Sequence, residues 1–150
     1  MASTLTKLLV HITFSTKDRA ARIPESIEPD LYAYIGGICR NTGSALLTMG
    51  GTADHVHLLV SLAKTIALSD LMLTLKRDSS IWLSEHDPSQ KWTGWQDGYF
   101  AFSIGESGVE ALRSYIAKQK DHHRHVTFQD EVRALLRKYS IEWDDRYAWD

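Results

Sequence analysis

Two periodicities divide this chain. Residues 5–14, LTKLLVHITF, are rich in branched and apolar side chains and read as a first strand. From residue 29 to 41 the apolar positions Leu31, Tyr34, Ile35 and Ile38 recur at helical spacing, and Gly43 just beyond supplies a stop. Residues 45–49 and 55–62 return to a strand pattern, and the Gly50-Gly51 region between them predicts a hairpin turn. Ser69 is placed to cap a second helix that carries Leu71, Met72, Leu75 and Trp82 and ends near His86, before Asp87-Pro88. Residues 95–104, WQDGYFAFSI, are aromatic and strand-like. Gly105-Glu106-Ser107-Gly108 then makes a flexible connector, whose Gly105 and Gly108 have the conformational freedom of hinges. Ser107 and Glu110 match a capping box that opens a helix to about His123, and Thr127 caps a last helix through Lys138.

The order strand, helix, strand, strand, helix, strand, followed by two helices, predicts an α+β class with a ferredoxin-like, split βαβ arrangement. Such a fold is an antiparallel sheet with two helices on one face, here extended by a C-terminal tyrosine-bearing helix. The other sheet face is expected to stay free, as a platform for single-stranded nucleic acid. A chain of 150 residues, 43% hydrophobic and 24% charged, suits one domain spanning 1–150. No run is apolar enough for a membrane helix, and the opening MASTLTKLLVHITF meets polar residues too early for a secretory signal, so a cytoplasmic protein is expected. The single Cys39 reads as an ordinary reduced thiol.

A formal charge of −2 argues against coating duplex DNA by bulk electrostatics. Locally the balance reverses: Arg113, Lys118, Lys120 and Arg124 face only Asp121, with His122, His123 and His125 interspersed. This stretch could hold a phosphate or could simply be a solvated helix face. A sharper signal is Asp54-His55-Val56-His57-Leu58-Leu59-Val60. Strand alternation puts His55 and His57 on one face and Val56, Leu58 and Val60 on the other. Two imidazoles so placed can chelate a metal, although an H-x-H pair also occurs without one. In the tyrosine helix a four-residue step aligns Tyr115 with Gln119, and His122 continues that face. Alone, Tyr115 could be a packing residue. Together these groups supply the parts for phosphoryl transfer: a phenol nucleophile, and a cation held by His55, His57 and the Gln119 carbonyl with positions open for phosphate. Mixed nitrogen and oxygen ligands favour Mg²⁺ or Mn²⁺.

Across nearly its whole length the sequence resembles the single-tyrosine HUH transposases of small insertion sequences, the IS200-like, TnpA type. The resemblance is carried by VHITFSTK, ADHVHLLVSL, LKRDSSIWL, WQDGYFAFSIGESG, YIAKQKDHH and DDRYAW. It implies that Tyr115 cuts single-stranded DNA and keeps the 5′ phosphate, and that Gln119 is the third ligand of a divalent metal. It also implies a homodimer acting on hairpin ends of its own element, with a mobile tyrosine helix able to complete the partner's site. On this reading Lys118, Lys120 and Arg124 bind the DNA. Histidine-triad hydrolases are excluded because Leu59 stands where a third histidine is needed. Two-histidine phosphoesterases find one motif in His11-Ile12-Thr13 but lose the second at His57, and His11 reads as a plain strand residue. A non-catalytic module stacking bases on Trp95, Tyr99 and Phe102 is the alternative from another class.

Overall fold

The computed structural model describes residues 2–150. Strands β1 (Leu9–Ser15), β2 (Ala45–Gly51), β3 (His55–Ser61) and β4 (Phe100–Ser103) form one antiparallel sheet in the order β2-β3-β1-β4. Helix α1 (Glu28–Asn41) leads from β1 to β2, and α2 (Leu68–His86) leads from β3 to β4. This is the expected split βαβ order. Alternation sends Ile12, Phe14, Val56, Leu58 and Val60 to one face, where they bury against Leu31 and Ile35 of α1 and Leu71 and Leu75 of α2. The free Cys39 is buried in this core, and burial pushes its thiol up to about 11, which suits the inert role expected of it.

The second face is not free, contrary to expectation. Helix α3 (Val109–Ala117), the single turn α4 (Gln119–His122) and α5 (Phe128–Lys138) complete the fold after β4. Leu9 and Leu59 at one end of that face are closed over by Leu112 and Ile116 of α3. Phe102 at the other end meets Phe128, Val132 and Leu136 around α5. Each such side chain gains roughly 1.5–3 kcal/mol on burial, so an apolar-ended face recruits cover. Between the two helices lies a polar notch floored by His11, Thr13, His55 and His57, with Thr13 paired to His57 across the β1–β3 ladder.

Several local expectations are corrected. The helix expected to run from 107 to 123 breaks at Lys118, whose φ of −99° and ψ of 17° end α3 before α4 begins. Neither Ser69 nor Ser107 caps a helix: Ala67 and Gly108 stand at the N-caps of α2 and α3. Thr127 does cap α5, accepting a bond from the Asp130 amide at 3.1 Å. The strand expected over 95–104 is shortened to β4, and Trp95 instead turns inward, donating its indole N–H to Ser79 at 2.9 Å. Gly50 and Gly51 lie within β2 rather than in a turn. Gly105 and Gly108 adopt φ of −82° and −91°, angles open to any residue, so the hinge argument loses its conformational basis.

Candidate active site

The notch brings together groups that start far apart in sequence. His55 and His57, one pleat apart on β3, are both fully buried. His55 is oriented from behind: its Nδ1 lies 2.7 Å from Asp54 Oδ1 and 2.9 Å from Thr52 Oγ1, which turns Nε2 inward to Gln119 Oε1 at 2.9 Å. A carboxylate behind a histidine fixes its tautomer and raises its strength as a ligand. His57 is held by His11, whose Nε2 lies 2.8 Å from His57 Nδ1, and the two rings stack with centroids 5.1 Å apart. His11 is therefore part of the site rather than a plain strand residue.

The break at Lys118 turns the next residue inward, so that Gln119 is buried over His55 while Tyr115, one turn earlier, stands half-buried beside His57. Both meet a residue that sequence reasoning missed. Glu131 on α5 is 3% exposed and sits in the middle of the cluster. It accepts bonds from the Tyr115 hydroxyl, from the Gln119 amide at 3.0 Å and, on the other oxygen, from His57 Nε2 at 2.8 Å. His122 Nε2 lies 3.4 Å away. His123 Nε2 is 3.0 Å from Glu131 Oε1 yet makes no well-aligned hydrogen bond, which leaves a buried nitrogen without a partner. A signal for Glu131 was available: it is an acidic residue on the stripe of α5 that carries Phe128, Val132 and Leu136.

Charge in the notch is set by burial and by Glu131. Burial lowers His57 against the pull of Glu131, and burial together with His57 pushes His11 down to about 3, so both imidazoles stay neutral. Burial alone would raise Glu131, but His123 and His57 outweigh it and hold the carboxyl well below the usual range. The Tyr115 phenol is pushed well above its ordinary value, first by burial and then by the negative charge of Glu131. The site thus holds a protonated phenol beside an ionised carboxylate. Ligand atoms of His55, His57, His123 and Glu131 all lie within 4.8 Å of one another, a spacing at which one ion could be shared. The neutral His57 imidazole, the His55 and His123 ring nitrogens and an anionic oxygen form a mixed nitrogen and oxygen donor set that fits a divalent cation.

Two cavities flank this centre. One of about 740 Å³ is lined by side chains of both charges, among them Arg19, Lys120 and Arg124 with Glu25, Glu28 and Asp54, and by His123 and His125. Lys120 is tethered there to Glu28 at 2.8 Å, and Arg124 lies 3.5 Å from Asp121. Lys118 falls elsewhere, in a shallow depression with Tyr115, Asp121 and His122. The second large cavity, about 600 Å³ and mostly apolar, lies between α3 and α5 and opens on Tyr115 and Glu131. Trp95 and Phe102, expected as possible stacking surfaces, are buried, Trp95 against Phe14 and Phe102 against Tyr139.

The family described as Transposase IS200 like matches residues 4–119, which takes in the histidine strand, Tyr115 and Gln119. The chain belongs to that family. This transposase is 27% identical over 120 residues to the ISDra2 transposase TnpA of Deinococcus radiodurans, covering 77% of the chain and 86% of that relative. Its fold is shared with a crystal structure of a Deinococcus radiodurans R1 protein assigned as a transposase. That likeness has a TM-score of 0.63 and 23% identity, over 79% of this chain and 95% of that one. It is also shared with a REP-associated tyrosine transposase bound to a REP hairpin, at a TM-score of 0.62 and 14% identity, over 84% and 74% of the two chains. Helix α5, with Glu131, lies beyond the residues that the family match covers. Among the described residues no helix of this transposase is long and apolar enough to cross a membrane.

Proposed function

We propose that this transposase cuts and rejoins single-stranded DNA through a covalent bond between Tyr115 and a 5′ phosphate, with a divalent cation, Mg²⁺ or Mn²⁺, held by His55, His57 and Gln119. The observation that carries this reading is the convergence of the Tyr115 hydroxyl, His57 and the Gln119 amide on one buried carboxylate, Glu131. Glu131 and His123 extend the donor set available to the cation. A cation bound there would offset the carboxylate charge and polarise a phosphate oxygen as a Lewis acid.

The residues themselves account for the bond changes. The Tyr115 oxygen attacks phosphorus, and the bond from phosphorus to the 3′ oxygen breaks. The phenol proton leaves along its hydrogen bond to the Glu131 carboxylate and is passed on to water, and the departing 3′ oxygen takes up a proton from water to become a free hydroxyl. Attack by another 3′ hydroxyl on the phosphotyrosine reverses these steps and rejoins the strand. Lys120 and Arg124 on the larger cavity and Lys118 in the separate depression beside Tyr115 hold backbone phosphates next to the reacting centre. The hairpin carried by one structural relative and the family resemblance support hairpin ends of the element as substrate, and a homodimer as the acting unit. A non-catalytic stacking module on Trp95, Tyr99 and Phe102 is disfavoured because Trp95 and Phe102 are buried, which leaves only the half-buried Tyr99 of the three.

The test is incubation with radiolabelled single-stranded DNA from the flanks of its own gene, with Mg²⁺ or with EDTA, followed by a denaturing protein gel. Label should travel with the wild-type protein in Mg²⁺ and be lost in EDTA. Tyr115→Phe should form no adduct while binding the strand within roughly threefold of wild type, because only the hydroxyl is removed. An adduct on the Phe variant would remove Tyr115 as nucleophile.

A further inference from the structure

The apolar cavity between α3 and α5 has no part in the chemistry just described, yet it opens directly on it. Tyr115, His122 and Glu131 stand at its inner end with His11. Its walls are aliphatic and aromatic, from Leu112, Ile104, Leu135 and the ring of Tyr139. Polar groups sit at the edges, where Asp130 and Lys138 join the lining. At about 600 Å³ it is in the size range of small-molecule sites, and its apolar walls with few polar groups follow the composition of such sites. Water filling an apolar recess is easily displaced by a flat, weakly hydrated ring.

We propose that this cavity is a nucleobase subsite, which receives one unstacked base of the single strand next to the phosphate that Tyr115 attacks. The inference rests on the proposed function for the presence of DNA, and on geometry for the position. Because Tyr115 itself lines the cavity, a phosphodiester within reach of its hydroxyl brings the base of a neighbouring nucleotide within reach of the cavity, while Lys120 and Arg124 on the neighbouring cavity are available to the continuing backbone. A base in a duplex is engaged with its partner and neighbours. A base in a single strand can swing out at small cost, so the subsite also selects the strand form. Van der Waals contact with Leu112 and Leu135 and with the Tyr139 ring supplies affinity, and hydrogen bonds with the base edge, donated by His122 or Lys138 or accepted by the Asp130 carboxylate, supply preference.

Binding rather than cleavage tests this. In the Tyr115→Phe background, single-stranded oligonucleotides from the gene flanks are titrated with one abasic site moved stepwise along the strand. Loss of one base should weaken binding about tenfold at a single position, the scale of one stacked base. Ala111 and Ala134 line the mouth and are exposed, so Ala111→Leu with Ala134→Leu narrows it without touching the core or the reacting groups. That variant should bind the intact strand about tenfold more weakly and lose its sensitivity to the abasic position, with an unchanged melting temperature. 2-Aminopurine placed at that position should change its fluorescence on binding to the open pocket and not to the narrowed one. A flat abasic scan, or intact-strand affinity unaffected by narrowing, overturns the subsite. The outcomes separate from those of the parent reading. An adduct with a flat scan removes only the subsite, a stepped scan without any wild-type adduct removes only the tyrosine chemistry, and absence of strand binding removes both.

Discussion

Glu131 is where the energetics of the site concentrate. A carboxylate that is 3% exposed survives as an ion because His123 and His57 lie against it and His57, Gln119 and the Tyr115 hydroxyl donate to it. Removing it leaves those donors buried around a hole, so Glu131→Ala should lower stability in urea by about 3 kcal/mol in metal-free buffer, the usual cost of breaking a buried charged network. Glu131→Gln keeps the shape and one acceptor oxygen and should cost less than half of that. An alanine variant as stable as wild type would show that the donors find water instead. His55, His57, Tyr115 and Gln119 were legible because the first two lie a two-residue step apart on one strand and the last two a four-residue step apart across the short break between α3 and α4. Glu131 and His11 each stood out within its own element but could not be joined to these four from the sequence. They reach the site from α5 and β1, and no spacing rule connects them to β3.

At the level of elements, the position of α3 over the sheet depends on one glycine. A Cβ on Gly50 would lie 2.5 Å from the Ile116 carbonyl oxygen and 3.0 Å from its side chain, so the backbone of α3 rests directly on β2. Gly50→Ala should push α3 outward, cost about 2 kcal/mol in thermal or urea unfolding, and reduce adduct formation by about a hundredfold through displacement of Tyr115. Gly105→Ala, whose Cβ would meet nothing within 4 Å, should leave both quantities unchanged. An equal loss at Gly105 would revive the hinge reading of that connector. The break at Lys118 has the same kind of consequence: it ends α3 and starts a new turn, so Gln119 reaches His55 while Tyr115 stays beside His57. Helical periodicity carried across that point aligns the two residues correctly but does not contain the break itself.

For the molecule as a whole, the open question of assembly becomes sharper. The family resemblance implies sites completed by the partner's tyrosine helix, whereas here Tyr115 meets the His57 and Glu131 of its own chain. First cleavage is therefore expected in cis. Mixing Tyr115→Phe with His57→Ala protomers should leave cleavage at the level of the separate variants, measured by the same adduct gel after the subunits are shown to exchange. Recovery of cleavage would establish composite sites. The net charge of −2 has a local counterpart, since Arg19, Lys120 and Arg124 share one cavity with Glu25, Glu28 and Asp54, so charges of both signs line it.

The periodicities of the sequence by themselves determined the order of strands and helices, and with it the split βαβ sheet, because alternation and helical spacing are local properties of each segment. They also determined the pairing of His55 with His57 and of Tyr115 with Gln119, for the same reason. The covering of the second sheet face was decided only by tertiary structure. Leu9, Leu59 and Phe102 come from three strands and become one apolar rim only when β3, β1 and β4 lie side by side, and the apolar stripes of α3 and α5 then close on it. That closure turns an expected open platform into a notch with two cavities. It also delivers Glu131 to the histidines, a contact between residues 74 positions apart that hydrophobic burial of α5, rather than any local preference, brings about.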